Sequence, residues 1–337
     1  MKPDYEFQSF LFPISVTEPY FDKRKAELAS STLTKEVSHL KSLDQYIVNN
    51  ALKDLNAESI SNWVGSFKTQ SHNSINHYIR SARSYLVYAN ALNGTHYFVP
   101  EYKTSVDEYI PHYYSADERK KIYEYIDNLH FRSSTTLPWI AYEIPMIVRV
   151  LEGCGTRLGE TLSLQMQDVE MKPAVLIIRN AKMDKQRRVP LSDSLASILE
   201  RYCYAMSIIG NPTAYLFPGK TKDEPLKTYD VSDKFRIILS KLGIRDKALL
   251  KNFERGPCIH DLRHTFTIDA FRQLNQQGIT LDDTICYLSV YLGHATLTET
   301  QAYLKFSAEL FPEEIDKFYD EADKLAGKED KWERWNL

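Results

Sequence analysis

Apolar residues recur with a helical period through most of the chain. Val37, Leu40 and Ile47 mark one stretch, and Ile75, Tyr78, Ile79, Ala82, Leu86 and Ala89 mark another. Between them, Asn56-Ala57-Glu58-Ser59 reads as a loop and helix start, ahead of an apolar face made by Ile60, Trp63, Val64 and Phe67. Four helices over 17–99 predict a small all-α domain, with 1–16 as an N-terminal extension. The period is lost over 100–114, PEYKTSVDEYIPHYY, where two prolines and scattered charges predict a linker.

A second domain is expected from Ser115-Ala116-Asp117-Glu118, a capping box in front of Ile122, Ile126 and Leu129. Residues 137–152 read as a buried apolar helix interrupted by Pro145. Two short strands, 175–178 and 188–191, flank the polar turn AKMDKQ and predict a hairpin. Leu195, Ile198, Leu199, Tyr202 and Met206 mark a further helix, as do Val231, Phe235, Ile238, Leu239 and Leu242. Helices are expected to continue to about residue 325, which gives a second domain over 115–325 and a polar tail over 326–337. The fold class is therefore mainly α: an all-α domain followed by an α+β domain with a small sheet.

Composition narrows the function. A length of 337 residues suits two cores, and 43% apolar with 26% charged residues excludes a disordered chain. Cys154, Cys203, Cys258 and Cys286 form no close-spaced pair, which argues against a disulfide framework or zinc knuckle. No H-E-x-x-H is present, and neither a metal nor a cofactor is expected. Gly219-Lys220-Thr221 resembles the end of a phosphate loop, but Ala214 stands where its first glycine belongs. With no apolar run of about 18 residues and a poor signal peptide, the expectation is a cytoplasmic protein without a membrane partner. The net charge of -3, taken alone, argues against a nucleic-acid coat.

The chemistry-bearing residues lie in the second domain. Gly153-Cys154-Gly155-Thr156-Arg157-Leu158-Gly159-Glu160 follows the apolar helix and sets Arg157 and Glu160 three apart on one helical turn. Lys182 sits in the hairpin turn, with Lys185 as the alternative. His260-Asp261-Leu262-Arg263 places two polar residues at i and i+3, and His264 could share that face. Leu292-Gly293-His294 ends a helix at a glycine, and Thr298-Glu299-Thr300-Gln301 opens another that carries Tyr303. Guanidinium forks hold phosphate bidentately and stabilise a phosphorane, a lysine can protonate a leaving alkoxide, and a phenol beside cations is an accessible nucleophile. This set suits attack on a phosphodiester.

The series resembles the tyrosine recombinase (phage integrase) family over roughly 112–306. GCGTRLGE resembles the box of the first catalytic arginine, Arg157, with Glu160 in support. AKMDKQRRVPL resembles the hairpin motif and gives the lysine role to Lys182. HDLRHTF resembles the H-x-x-R box with His260 and Arg263, and YLGHATLTETQAY resembles the final box with His294 and the nucleophile Tyr303. The resemblance implies a 3′-phosphotyrosyl intermediate, with Lys182 as general acid and Arg157 and Arg263 neutralising the phosphorane. His294 would hydrogen-bond it, and His260 would assist proton transfer or positioning. It further implies double-stranded DNA with specific sites as the partner, a homotetramer exchanging a C-terminal tail helix, accessory DNA-bending proteins, and integration or excision of a mobile element. The helical block is similar to a core-binding domain in size and position, and the architecture is similar to two-domain Xer-like and transposon recombinases. Residues 245–256, RDKALLKNFERG, match no part of the family pattern.

Two other functions use the same residues: DNA relaxation by a type IB topoisomerase, and non-catalytic binding by a regulator derived from a recombinase. The apolar helix pattern after Tyr303 (Leu310, Phe311, Ile315, Phe318, Tyr319, Ala322) favours a chain that docks on a neighbour, with packing on its own domain as the alternative. Charge is also unevenly spread. Residues 304–337 hold 6 Lys+Arg against 10 Asp+Glu, while 132–191 hold 9 against 6. Local clustering, rather than the total, sets affinity for phosphate.

Overall fold

The computed structural model describes residues 5–68, 70–102, 111–129, 137–180, 185–246, 248, 250, 254–294, 296, 297, 299 and 300. The chain divides into two compact units, 1–108 and 109–337. Among the described residues, no helix is long and apolar enough to cross a membrane.

The first unit contains α1 (Ile14–Glu27), α2 (Ser30–Asn49), α3 (Ala57–Gly65) and α4 (His72–Asn93). Their apolar faces meet in one core built from Leu40, Leu43 and Ile47 of α2, Ile60 and Trp63 of α3, and Ala82, Tyr85, Leu86 and Ala89 of α4. Each such buried Leu or Ile contributes roughly 1.5–3 kcal/mol. The Asn56 side chain accepts the Ser59 N–H at 2.9 Å and caps α3. The segment expected as an extension is part of this core: Leu11 and Phe12 are buried. Asp44, fully buried on α2, holds the segment by accepting from the Tyr5 hydroxyl at 2.8 Å and the Ser9 N–H at 2.8 Å. A buried carboxylate requires such donors, and the segment supplies them.

The second unit is built around α6 (Ile140–Cys154), which touches α5 (Ala116–Asp127), α7 (Leu158–Leu162), α8 (Asp193–Ala205) and α10 (Asp261–Gln276). Nine of its 15 residues are buried, as expected of a helix that is apolar almost all round. Pro145 does not interrupt it: the ring removes one backbone hydrogen bond, and burial on either side keeps the helix continuous. The capping box of Ser115 and Glu118 opens α5 as the sequence predicts. A three-stranded antiparallel sheet, β1 (Val169–Met171), β2 (Ala174–Asn180) and β3 (Lys185–Pro190), places Ile178 opposite Arg187. The hairpin is the expected one, and β1 adds an edge strand that the sequence reading does not contain.

α9 (Thr228–Lys241) completes the main core through Val231, Phe235, Ile238 and Leu239. α11 (Leu281–Leu292) packs on α10 through a smaller cluster of Phe271, Ile285, Leu288 and Leu292. The end of the expected linker belongs to this unit. The Tyr114 N–H donates to Thr265 Oγ1 at 3.0 Å, its hydroxyl donates to the Cys258 carbonyl at 2.9 Å, and the Tyr113 hydroxyl donates to Asp269 at 2.8 Å. Residues 245–256 fold back on themselves where described: the Arg245 guanidinium donates to the carbonyls of Arg255 (2.6 Å) and Pro257 (2.8 Å).

Candidate active site

The site forms where α6 and α11 end. α6 stops at Gly155, whose φ of 60° is a left-handed cap that glycine adopts without strain. A Cβ there would also stand 2.3 Å from the Phe266 ring, so only glycine fits. The turn leaves the Gly155 carbonyl free to accept from Arg263 at 2.7 Å. α11 ends in the same way at Gly293, φ 66°. There the Leu292 carbonyl accepts from Arg263 at 3.0 Å, and the Gly293 carbonyl accepts from Arg157 at 3.2 Å. The carbonyl ends of two helices therefore hold the guanidiniums, as helix dipoles favour.

Arg157 is the N-cap residue of α7. Its N–H donates to Glu160 Oε2 at 2.9 Å, and its guanidinium donates to Oε1 at 3.0 Å. The predicted Arg157–Glu160 pair is thus a capping box that also orients the arginine. Arg157 remains about one-third exposed, whereas Arg263 is buried. Glu299 lies 3.8 Å from Arg157 and is half exposed. Burial alone would push the Glu160 carboxyl up, but hydrogen bonds from Arg187 and Arg157 outweigh it and hold the group at about 2.

His294 is fixed at both ring nitrogens. Arg263 is always a donor, so Nε2 must accept its 2.8 Å bond. The ring proton is therefore on Nδ1, which donates to Thr300 Oγ1 at 2.7 Å. Burial, then Arg263 and Arg157, lower the His294 pKa to about 4, and the ring is neutral at pH 7. His260 is the residue before α10, its ring edge-on to His264 with centroids 5.0 Å apart. Burial lowers His260 to about 4, helped by Arg255, Arg263 and Arg157, and lowers His264 to about 3.

Of the predicted residues, Arg157 is hydrogen-bonded to Glu160 and Arg263 to His294, and both arginines reach carbonyls at the end of α11, with His260 beside them. Lys182 and Tyr303 lie outside the described residues, and so does the tail-helix pattern; the side chain of Lys185 is likewise not described. Arg187 of the hairpin joins this cluster, a contact that the sequence reading does not contain. It donates to both Glu160 oxygens, at 3.1 and 2.7 Å. The available signal was alternation: with Val189 inward, Arg187 falls on the same face of β3. Among the described residues, no group of three or more His, Cys, Asp or Glu could hold a metal ion.

The phage integrase family model matches residues 113–309, more than half of the chain and all of this site. The chain belongs to the phage integrase family. It is 31% identical over 183 residues to a putative integrase/recombinase of Sinorhizobium fredii, covering 52% of this chain and 54% of that one. To the tyrosine recombinase XerA of Pyrococcus horikoshii it is 28% identical over 209 residues, 62% of this chain and 61% of that one. The chain thus spans between about half and three-fifths of the length of these relatives.

Solved structures share the fold. The XerH site-specific recombinase bound to a palindromic difH substrate matches with a TM-score of 0.62 at 18% identity, over 87% of this chain and 80% of that one. The Tn1549 transposon integrase in complex with transposon right end DNA matches with a TM-score of 0.60 at 16% identity, over 91% and 98%. The mainly helical architecture with a small antiparallel sheet is that of the tyrosine recombinases.

Proposed function

We propose that this protein is a tyrosine-type site-specific recombinase, a DNA strand transferase that cuts and rejoins duplex DNA through a 3′-phosphotyrosyl link. The observation that carries this reading is the convergence of Arg157 and Arg263 on the ends of α6 and α11, beside imidazoles held neutral. Arg157, Arg187, Arg263 and Glu160 together carry three positive charges and one negative charge, a net of +2. A phosphodiester carries one negative charge and its pentacoordinate state carries two, so the field strengthens binding as the reaction proceeds.

In this mechanism the Tyr303 oxygen attacks phosphorus in line. The Tyr303 O–P bond forms, the bond from phosphorus to the 5′ oxygen breaks, and the electron pair leaves on that oxygen. Lys182 gives the leaving oxygen a proton, and the neutral His260 ring takes the phenol proton. Attack by the 5′ hydroxyl of a partner strand reverses these steps and rejoins DNA without ATP. In the free protein, His294 accepts from Arg263 and so orients it. As phosphate charge enters, the ring stays neutral and donates its one N–H to a non-bridging oxygen.

The working assembly is a homotetramer on two synapsed duplexes with the tail helix exchanged between subunits. Accessory DNA-bending proteins are further partners, and integration or excision of a mobile element is the outcome. The apolar pattern after Tyr303 supports the exchange. A nicked duplex carrying a site selected from a randomised library tests the chemistry. The wild type is expected to accumulate a denaturant-resistant protein–DNA complex, and Tyr303→Phe none. Equal trapping by Tyr303→Phe would overturn the nucleophile, and no trapping by the wild type on any selected site would overturn the reading.

A further inference from the structure

Arg187 lies on β3, 27 residues from Glu160, on the inward face shared with buried Val189. A guanidinium on that face needs an acceptor, and both oxygens of Glu160 serve, at 3.1 and 2.7 Å. The same two oxygens take the side chain and the N–H of Arg157, at 3.0 and 2.9 Å. Each carboxylate oxygen is thus used by both arginines. Arg187 also fills the space beside Gly293: a Cβ there would stand 2.8 Å from its Nη1 and 3.1 Å from its Cζ. The Gly293 carbonyl in turn holds Arg157.

Arg157 is therefore boxed in by two groups, Glu160 and Gly293, and Arg187 abuts both. Without Arg187, the charge of Glu160 would fall on Arg157 alone, and the carboxylate would compete with an incoming phosphate for one guanidinium. With it, Glu160 is already engaged by a second fork, and Arg157 is aimed but not neutralised. A lysine could not do the same, because a single ammonium cannot span both oxygens in plane.

We propose that Arg187 is a positioning residue for strand cleavage: its fork fixes Glu160, and through Glu160 it sets where the Arg157 guanidinium meets the scissile phosphate. This inference rests on the function proposed above. It is tested by a double-mutant cycle in single-turnover cleavage of the nicked duplex, using Arg187→Gln, Glu160→Gln and the pair, with Arg187→Lys alongside. Thermal melting and DNA affinity are measured for each, so that rates are compared per folded, DNA-bound protein.

Each single change is expected to slow covalent-complex formation by about 100-fold, and the pair no more than the worse single change. Arg187→Lys is expected to be as slow as Arg187→Gln. A second readout is a methylphosphonate at the scissile position, which removes the substrate charge. The Arg187→Gln defect is expected to shrink at least about tenfold there, whereas a merely structural defect would persist. Multiplicative losses, full activity in Arg187→Lys, or an undiminished defect on the neutral substrate would each overturn the proposal. Failure of the recombinase reading would be seen separately, as no covalent trapping by the wild type on any selected site.

Discussion

One cluster in each unit uses arginine and glutamate in opposite proportions to the other. In the first, Arg24 binds Glu36 through Nε (3.0 Å) and Nη2 (2.8 Å) and also reaches Glu27 at 2.7 Å. One cation there answers two anions, and Glu36 takes the Tyr20 hydroxyl besides. In the second unit, Glu160 is one anion shared by Arg157 and Arg187, with Arg263 held by backbone carbonyls and a neutral ring. The first cluster is complete in itself and serves stability. The second keeps cationic charge in reserve, which costs stability and is useful only to an anionic ligand.

The sharpest way to break this comparison is Arg263→Lys. The three N–H groups of an ammonium would all be taken by the Gly155 and Leu292 carbonyls and His294, leaving none for phosphate, so cleavage of the nicked duplex should fall by about 10³. A rate within tenfold of wild type would mean that charge alone matters. Arg24→Met tests the other side. It strands buried Glu36 and should lower unfolding stability by about 3 kcal/mol in urea titration, while covalent trapping per DNA-bound molecule stays unchanged. A lost cleavage rate there would show that the first cluster also serves the chemistry.

The smallest effect expected is in acid. Glu160 sits near 2 when folded, against an ordinary 4.5, so its contribution is complete above pH 4.5 and is lost as pH falls toward 2. Glu160→Gln should cost about 2 kcal/mol at pH 7 and flatten stability across that window. An unchanged acid limb in denaturant melts would show that Glu160 is not held by its arginines.

Most of the fold was legible because its signals are local. Periodicity located α2, α3, α4, α5, α8 and α9, Ser115 and Asn56 marked two starts, and Gly293 marked an end. What was missed depended on distant partners. β1 has three residues, too few to show alternation. Tyr113 and Tyr114 lie in a proline-flanked stretch without a period, and they are ordered by α10, some 150 residues away in sequence. Glu143 gave no sign that it would be buried with Oε1 unpartnered, its carboxyl pushed up to about 8 by burial. In the site, motif order placed Arg157, Glu160, His260, Arg263 and His294. The fork of Arg187 on Glu160 is a side-chain contact between separate elements, which spacing does not reveal.

The carbonyls that hold the two arginines have a consequence for synthesis. Arg263 reaches back 108 residues to Gly155 and forward 29 to Leu292, and Arg157 waits for Gly293, 136 residues later. A ribosome translates Arg157 long before it translates the groups that aim it. The cation cluster therefore cannot assemble on a chain that has not yet reached the end of α11. On the proposed function, an unfinished chain has no means of cutting the DNA around it.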